Sequence, residues 1–117
     1  IKAYKIRIID IGMVYGVYGT DTFNREFNNL NKSEQEIVNK IFLQLKNNPY
    51  VGDQIRYWFF REKIIKEKRI YYLVYDDLMA VLVVAIGGKK AQQETIDRIV
   101  ESFDYYKEYM KRILGKN

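Results

Sequence analysis

Cations crowd one short stretch of this 117-residue chain, from Arg56 to Arg69. The six cations are Arg56, Arg61, Lys63, Lys66, Lys68 and Arg69. Glu62 and Glu67 are the two acids among them. Arginine can hold two phosphate oxygens at once, and crowding by other cations lowers the pKa of a lysine toward use as a base. The stretch therefore predicts a face that binds phosphate.

The chain contains no His and no Cys. It therefore lacks an imidazole base, a thiolate nucleophile and a Cys-ligated metal, which excludes zinc hydrolases and Ser-His-Asp hydrolases. We predict no metal and no cofactor. Cleavage of RNA stays possible because the ribose 2′-hydroxyl supplies the nucleophile. The protein then needs only to remove its proton, hold the phosphate and stabilise the developing charge.

A purely structural interpretation of the same cations is also open. In strand geometry Arg61 and Lys63 share one face, and Glu62 and Glu67 can pair with neighbouring lysines. Exposed edge strands often carry lysine because its charge opposes aggregation. The residues alone do not decide between a phosphate site and a solvated hairpin.

Length and composition favour one folded domain over residues 1–117, because 48% of the chain is hydrophobic and 15% is aromatic. The net charge of +5 suits a nucleic acid or an acidic protein partner. The longest apolar run, Leu78 to Ile86, is too short to span a bilayer. Charged residues such as Lys2 and Lys5 interrupt the N-terminal segment, so we predict no signal peptide and a cytoplasmic location.

Four segments have the alternation or apolar density of β-strands. They are Tyr4–Ile11, Tyr57–Lys66, Arg69–Tyr75 and Met79–Ile86. Short turns separate the last three, which predicts an antiparallel meander. The last strand is apolar on both faces, so we expect it at the centre of the sheet, covered on both sides. Gly12, Gly16 and Gly19 predict a loop or a short hairpin continuation after the first strand.

Two helices are predicted between the first strand and the meander. The N-cap of the first is expected within Thr20-Asp21-Thr22, and Ser33 with Glu36 is the expected capping box of the second, which Pro49 ends. A third helix is expected over residues 91–114, packed on its own sheet in preference to a coiled-coil dimer. The order β-α-α-β-β-β-α predicts an α+β domain: an antiparallel-rich four-stranded sheet with a helical hairpin and a long C-terminal helix.

This order of elements, with the residues in it, resembles the RelE/ParE superfamily of bacterial and archaeal toxins from toxin–antitoxin pairs. Residues 23–55 are similar to the family's helical hairpin, which ends here in Asn-Pro-Tyr. Residues 69–90 are similar to its Arg-led strand, acidic turn, apolar strand and basic exit. The resemblance covers Tyr4 to about Lys90. It implies an antitoxin partner, and either messenger-RNA cleavage in the ribosomal A site (the RelE branch) or binding of DNA gyrase (the ParE branch).

The resemblance to the RelE branch also implies roles for single residues. Lys63 or Lys66 matches the general-base lysines of the second strand. Arg69 matches the arginine that contacts the scissile phosphate. Lys89 or Lys90 matches the basic residue that stabilises the transition state. We expect further phosphate contacts from Arg56, Arg61 and Lys68.

We therefore favour a metal-independent, ribosome-associated endoribonuclease that cuts messenger RNA and inhibits translation. The alternatives are a ParE-like or catalytically silent toxin that acts by binding protein, and a generic basic RNA-binding domain. The chain departs from the RelE branch at one tyrosine. RelE-type ribonucleases usually carry a tyrosine shortly after the last basic residue. Here the sequence reads KKAQQETID, and the next tyrosine is Tyr105. The possible substitutes are Tyr71, Tyr72 and Tyr75, for which we expect packing.

Three consecutive aromatic residues, Trp58, Phe59 and Phe60, precede most of the cations. Successive side chains of a strand point to opposite faces, so at least one of the three faces a core. We expect packing for all three. One left exposed would suit an antitoxin helix or strand.

Overall fold

The structure is a computed structural model that describes residues 14–115. The strands are β1 (Gly16–Gly19), β2 (Asp53–Ile55), β3 (Tyr57–Ile65), β4 (Lys68–Tyr75) and β5 (Ala80–Gly88). The helices are α1 (Asp21–Asn28), α2 (Lys32–Asn47), α3 (Gln92–Glu101) and α4 (Phe103–Ile113), and a 3-10 turn, Asp76–Leu78, joins β4 to β5. The expected strand Tyr4–Ile11 lies outside the described residues.

Within residues 14–115 the strands form one sheet in the order β1-β5-β4-β3-β2. The antiparallel meander β3-β4-β5 is confirmed. The strand β5 lies inside the sheet, between β1 and β4, and is buried on both faces as its apolar sequence predicts, although β4 is the middle strand of the five. The α+β class is confirmed as well. The sheet has two strands beyond the expected meander, β1 parallel to β5 and β2 antiparallel to β3. Of the two structures expected around Gly16 and Gly19, a loop or a short hairpin continuation, the loop was wrong: Gly16–Gly19 form the strand β1, which pairs in parallel with β5 through contacts such as Val17 with Val81.

Helices cover both faces of the sheet, and each interface is a hydrophobic core. On one face the hairpin α1–α2 packs against β4 and β5 through Phe23, Val38, Phe42, Leu45, Tyr72, Val81 and Val83. On the other face α3 and α4 pack through Ile96, Ile99, Met110, Tyr71, Leu73, Leu82 and Val84. Within the described residues no helix has the length and apolarity needed to cross a membrane.

The start of α2 differs from expectation. The N-cap of α1, expected within Thr20-Asp21-Thr22, is Thr20, whose hydroxyl oxygen accepts from the Phe23 N–H at 3.1 Å. The cap of α2 is Asn31, whose Oδ1 accepts from the Glu34 N–H at 2.8 Å, while Glu34 Oε1 accepts from the Asn31 N–H at 3.2 Å. The Ser33–Glu36 capping box was therefore wrong. Asparagine caps as well as serine does, and Asn31 has a glutamate three residues on.

The C-terminal segment is two helices, where a single helix over residues 91–114 was expected. The break falls at Ser102, whose N–H donates to the Ile99 carbonyl oxygen at 3.0 Å and closes a tight turn. Phe103, the next residue, places its ring centroid 5.1 Å from that of Phe59 and 5.7 Å from that of Phe60. We attribute the break to this aromatic packing. The expected packing of the segment on its own sheet is confirmed by the buried side chains of Ile96, Ile99 and Met110.

Candidate functional site

A groove of about 650 Å³ lies at the tip of the β3–β4 hairpin, where β5 leaves the sheet. We call it the basic groove. Its charged lining residues are Lys66, Glu67, Lys68, Arg69, Lys89 and Lys90, five cations and one acid. Exposed Ile64 adds an apolar wall. Five of the eight cations singled out in the sequence thus share one opening. Among residues 14–115, no three acidic side chains are grouped as metal ligands would be.

The hairpin turn holds Lys66 at the mouth of the basic groove. Ile65 pairs with Lys68, so the turn residues are Lys66 and Glu67, one position earlier than expected. Lys66 has a φ of 55°, a left-handed conformation that is uncommon for a residue with a side chain. Its Nζ donates to Ser33 Oγ at 2.7 Å, which ties the turn to the start of α2.

Lys68 forms a second tie to the same helix. Its Nζ lies 2.9 Å from Glu34 Oε2. Glu34 thereby connects two elements, because its other oxygen completes the capping box of α2. The hydrogen bond from Lys68, and after it the one from the Asn31 backbone, lower the pKa of Glu34 below its ordinary value of 4.5. The helix α2 therefore fixes the position of Lys68 in the lining of the basic groove.

Acid should release this tie. A carboxylate whose pKa is lowered by folding stabilises the protein above its ordinary pKa, and that stabilisation disappears as the pH falls through the folded-state value. We expect Glu34→Gln to lower the free energy of unfolding near neutral pH and to have a smaller effect at about pH 3. Urea denaturation at both pH values measures the difference.

Glu36→Gln is the matched control, because Glu36 is exposed on the same helix. Its effect should be small at both pH values. An equal loss of stability for Glu34→Gln at the two pH values would contradict the role of the Lys68–Glu34 pair.

Arg69 is held from one side. Its Nε lies 3.2 Å from Glu62 Oε1, an ion pair without the alignment of a hydrogen bond, and both side chains are largely buried at 18% and 14% exposure. The terminal nitrogens of Arg69 have no hydrogen-bond partner among residues 14–115. A guanidinium fixed through Nε, with its terminal N–H groups available, has the arrangement that grips two phosphate oxygens.

Two arginines of the stretch are committed to structural contacts elsewhere. Arg61 donates from Nε to the Gly52 carbonyl oxygen at 3.0 Å and from an amino nitrogen to the Trp58 carbonyl oxygen at 2.7 Å. Arg56 pairs with Asp97 of α3 at 2.8 Å. Neither lines the basic groove, so their expected phosphate contacts have no support in the geometry.

Lys63 is also separated from Arg69. Paired residues of an antiparallel ladder share a face, and Arg69 pairs with Ile64 whereas Lys63 pairs with Ile70. Lys63 therefore points to the face of the helical hairpin and Arg69 to the face of α3 and α4. The side chain of Lys63 does not line the basic groove.

The tyrosines of β4 belong to the cores, as expected. The Tyr72 hydroxyl donates to the Pro49 carbonyl oxygen at 2.8 Å and accepts from the Gly52 N–H at 3.0 Å. The Tyr71 hydroxyl has no hydrogen-bond partner among residues 14–115, and burial, with the nearby Glu62 charge, raises the pKa of Tyr71. Tyr75 is buried too. No aromatic side chain of the described residues lines the basic groove.

The helix α3 begins shortly after the last lining residue of the basic groove, a feature that the cation pattern did not indicate. The helix begins at Gln92, two residues after Lys90, and Ala91 at its N-cap provides no side-chain hydrogen bond. N–H groups of a first helical turn carry partial positive charge and bind anions. The sequence signal for this feature is the segment KKAQQ at the end of β5. It has no Ser, Thr, Asp or Asn at the N-cap position, so no side chain there accepts from the first N–H groups of the helix.

A second groove, of about 460 Å³, lies between the far ends of β3 and β4 and the helix α4. We call it the aromatic groove. Its aromatic lining residues are Trp58, Phe59, Tyr75 and Phe103, and its acidic ones are Asp76, Asp77 and Asp104. Phe60 is fully buried, but Trp58 is 53% exposed. The expectation that all three consecutive aromatics pack inside was therefore wrong for Trp58.

Neither a protein-family model nor a curated protein matches this chain. Several solved structures match it. Free Escherichia coli toxin RelE, carrying two substitutions, aligns with a TM-score of 0.63 and 18% identity over 74% of this chain and 99% of its own. A chain of the Mycobacterium tuberculosis toxin–antitoxin complex RelBE2 aligns with a TM-score of 0.57 and 20% identity, over 65% of this chain and 99% of its own. A chain of the archaeal RelE–RelB complex from Pyrococcus horikoshii aligns with a TM-score of 0.56 and 13% identity, over 66% of this chain and 97% of its own. The chain therefore has a RelE-like fold.

Proposed function

We propose that this chain is the toxin of a toxin–antitoxin pair and that it cleaves messenger RNA on the ribosome, in the cytoplasm, without a metal. The observation that carries the proposal is the basic groove, where five cations surround one opening at the hairpin tip of a RelE-like fold. Such a groove attracts the RNA backbone through its charge. Translation stops because the message is cut during decoding.

In the proposed reaction the ribose 2′-oxygen attacks the adjacent phosphorus while the bond from phosphorus to the 5′-oxygen breaks. The products are a 2′,3′-cyclic phosphate and a 5′-hydroxyl. Lys66, at the turn, is the candidate base that takes the 2′-hydroxyl proton. Arg69 grips two phosphate oxygens through its terminal nitrogens. Lys89 and Lys90, with the first turn of α3, stabilise the charge that develops and protonate the leaving oxygen.

Ribosomes programmed with a defined message test this function. Purified protein should cut that message at a codon in the decoding site, and it should cut the same message without ribosomes much more slowly. The ends of the fragments identify the chemistry, since a 2′,3′-cyclic phosphate forms only by attack of the 2′-hydroxyl. Intact message on the ribosome would contradict the proposal.

A toxin that acts by binding a protein, as in the ParE branch, is the second candidate. The absence of any aromatic side chain among the described lining residues of the basic groove favours it, because aromatic stacking is a common way to hold an unpaired base. Growth arrest with intact messages and altered DNA supercoiling would support this candidate.

The antitoxin partner has a candidate surface in the aromatic groove. Exposed Trp58 offers a large apolar anchor. The lining has three aspartates and one cation, Lys107, which pairs with Asp77 at 2.7 Å, so the remaining acidic charge favours a partner segment that combines apolar and cationic side chains. The aromatic groove lies at the Tyr75 end of β4 and the basic groove at its Arg69 end, roughly 20 Å apart along the strand. An antitoxin that binds both must therefore be extended.

Trp58→Ala should weaken binding of the antitoxin by about 30-fold, the effect of an interface hot spot. Tyr105→Ala is the control, because Tyr105 is 60% exposed on α4 and does not line the aromatic groove. Calorimetric titration with the protein encoded beside this gene measures both affinities. Equal affinities for wild type and Trp58→Ala would contradict this surface.

A further inference from the structure

A second concavity, of about 220 Å³, opens beside the basic groove. Its walls include Glu26 of α1 and the two residues that follow this helix at its end, Asn29 and Leu30, and Gly88 and Lys68 line both concavities. A nucleotide whose phosphate lies in the basic groove can therefore place its base in this second concavity. We propose that this concavity, the base pocket, binds a nucleobase that carries an exocyclic amino group. The inference rests on the proposed function, because it assumes that the basic groove holds a phosphate of RNA.

Glu26 is the group that would recognise the base. The helix α1 lies along the edge of β5 beyond the end of β1, and Glu26 Oε1 accepts from the Ile86 N–H at 2.9 Å. Within residues 14–115 no strand pairs with Ile86 on that edge, and this bond takes the place of such pairing and fixes the orientation of the carboxylate. The second oxygen, Oε2, has no hydrogen-bond partner in the described part of the chain and can accept from a ligand.

A carboxylate only accepts hydrogen bonds, so it selects ligands that donate. Cytosine and adenine present an exocyclic amino group, and acidic side chains read cytosine in nucleic acids through that group. Uracil has no amino group, and its ring N–H lies between two carbonyl oxygens that a carboxylate repels. Leu30 provides an apolar surface for the face of the ring. Asn29 and Lys68 of the same lining can donate to the ring carbonyl O2 that cytosine and uracil share, so they do not separate the two bases. The preference of the base pocket for amino-bearing bases over uracil therefore depends on Glu26.

Gly88 keeps the passage between the two concavities open. A Cβ at this position would meet no atom within 4 Å, so the fold itself does not require glycine here. Its neighbour Gly87 faces the other side of the sheet, where a Cβ would lie 3.7 Å from Thr95 Oγ1. A side chain at position 88 would extend into the opening that a bound nucleotide must cross.

The test is a two-dimensional NMR titration of the purified full chain with cytidine 5′-monophosphate, uridine 5′-monophosphate and ribose 5-phosphate. All three should shift the backbone N–H signals of Arg69 and Lys89. Only the cytidine nucleotide should also shift those of Glu26 and Leu30, and it should bind about fivefold more tightly than the uridine nucleotide.

Two variants sharpen the titration. Glu26→Gln keeps an oxygen for the Ile86 N–H but presents an amide N–H to the base, so the order of the two nucleotides should reverse. Gly88→Val should abolish the shifts at Glu26 and Leu30 and preserve the melting temperature.

The outcomes separate the two proposals. Shifts at Arg69 and Lys89 alone, equal for all three compounds, would overturn the base pocket and leave the phosphate groove standing. Shifts at Glu26 and Leu30 without any at Arg69 would support the base pocket and contradict the proposed function. No shift with any compound would overturn both.

Discussion

Replacing Arg69 by Ala is expected to lower the rate of ribosome-dependent cleavage by about 10²- to 10³-fold, the effect of removing one preorganised contact to the developing charge. Arg69 is positioned for this role because its Nε faces Glu62 at 3.2 Å, which orients the terminal nitrogens before RNA arrives. Primer extension on ribosome-bound message measures the rate. A wild-type rate would remove Arg69 from the reaction.

The stability of the variant needs its own control. Arg69→Ala leaves Glu62, which is only 14% exposed, as an unpaired charge, and breaking such a pair destabilises a protein. The double variant Glu62→Gln/Arg69→Gln keeps two neutral polar groups in contact and should fold while remaining inactive. Arg56→Gln removes a cation that pairs with Asp97 away from the basic groove, so it should cleave at nearly the wild-type rate.

Gly52→Ala is expected to lower the free energy of unfolding by about 2–3 kcal/mol, the upper part of the range for overpacking, because one of the two close contacts is with backbone. A Cβ on Gly52 would stand 2.4 Å from the Glu62 carbonyl oxygen and 2.6 Å from the Tyr72 hydroxyl oxygen. The first is a backbone atom of β3, so the strand itself has to move. The hydrogen bonds between Gly52, Tyr72 and Arg61 would shift with it. Urea denaturation measures the loss.

Gly88→Ala is the matched comparison, because it makes the same chemical change where a Cβ meets no atom within 4 Å. Its free energy of unfolding should differ from wild type by less than about 0.5 kcal/mol. Similar losses at positions 52 and 88 would show that the close approach at Gly52 is not what limits stability there.

Strand alternation and the sequence signals for helix ends predicted most of the fold, because those patterns are local, although the N-cap of α2 is Asn31 and not Ser33. The strands β3, β4 and β5 and the helices α1 and α2 follow from them. The short strands β1 and β2 did not, since three or four residues form a strand only when a longer neighbour provides hydrogen-bond partners. The break at Ser102 also escaped prediction, because the packing of Phe103 on Phe59 and Phe60 comes from distant parts of the chain.

The sequence predicted that cations concentrate near the β3–β4 hairpin. It did not predict which of those cations line the basic groove. Arg61 and Arg69 look alike in the sequence, but Arg61 is held by backbone carbonyl groups and Arg69 by a carboxylate. The pairing register of the hairpin decides which face each cation occupies, and it separates Lys63 from Arg69. Glu26 carried no signal, because its contact with Ile86 spans 60 positions of the chain.

Mapping the 5′ ends of messenger RNA in cells, after brief induction of the wild-type chain or of Glu62→Gln/Arg69→Gln, tests the central claim most directly. The proposed function predicts new ends within translated regions, phased with the reading frame, for the wild type and none for the variant. Growth arrest by the wild type with intact messages would contradict it, and so would the same set of cuts from the variant.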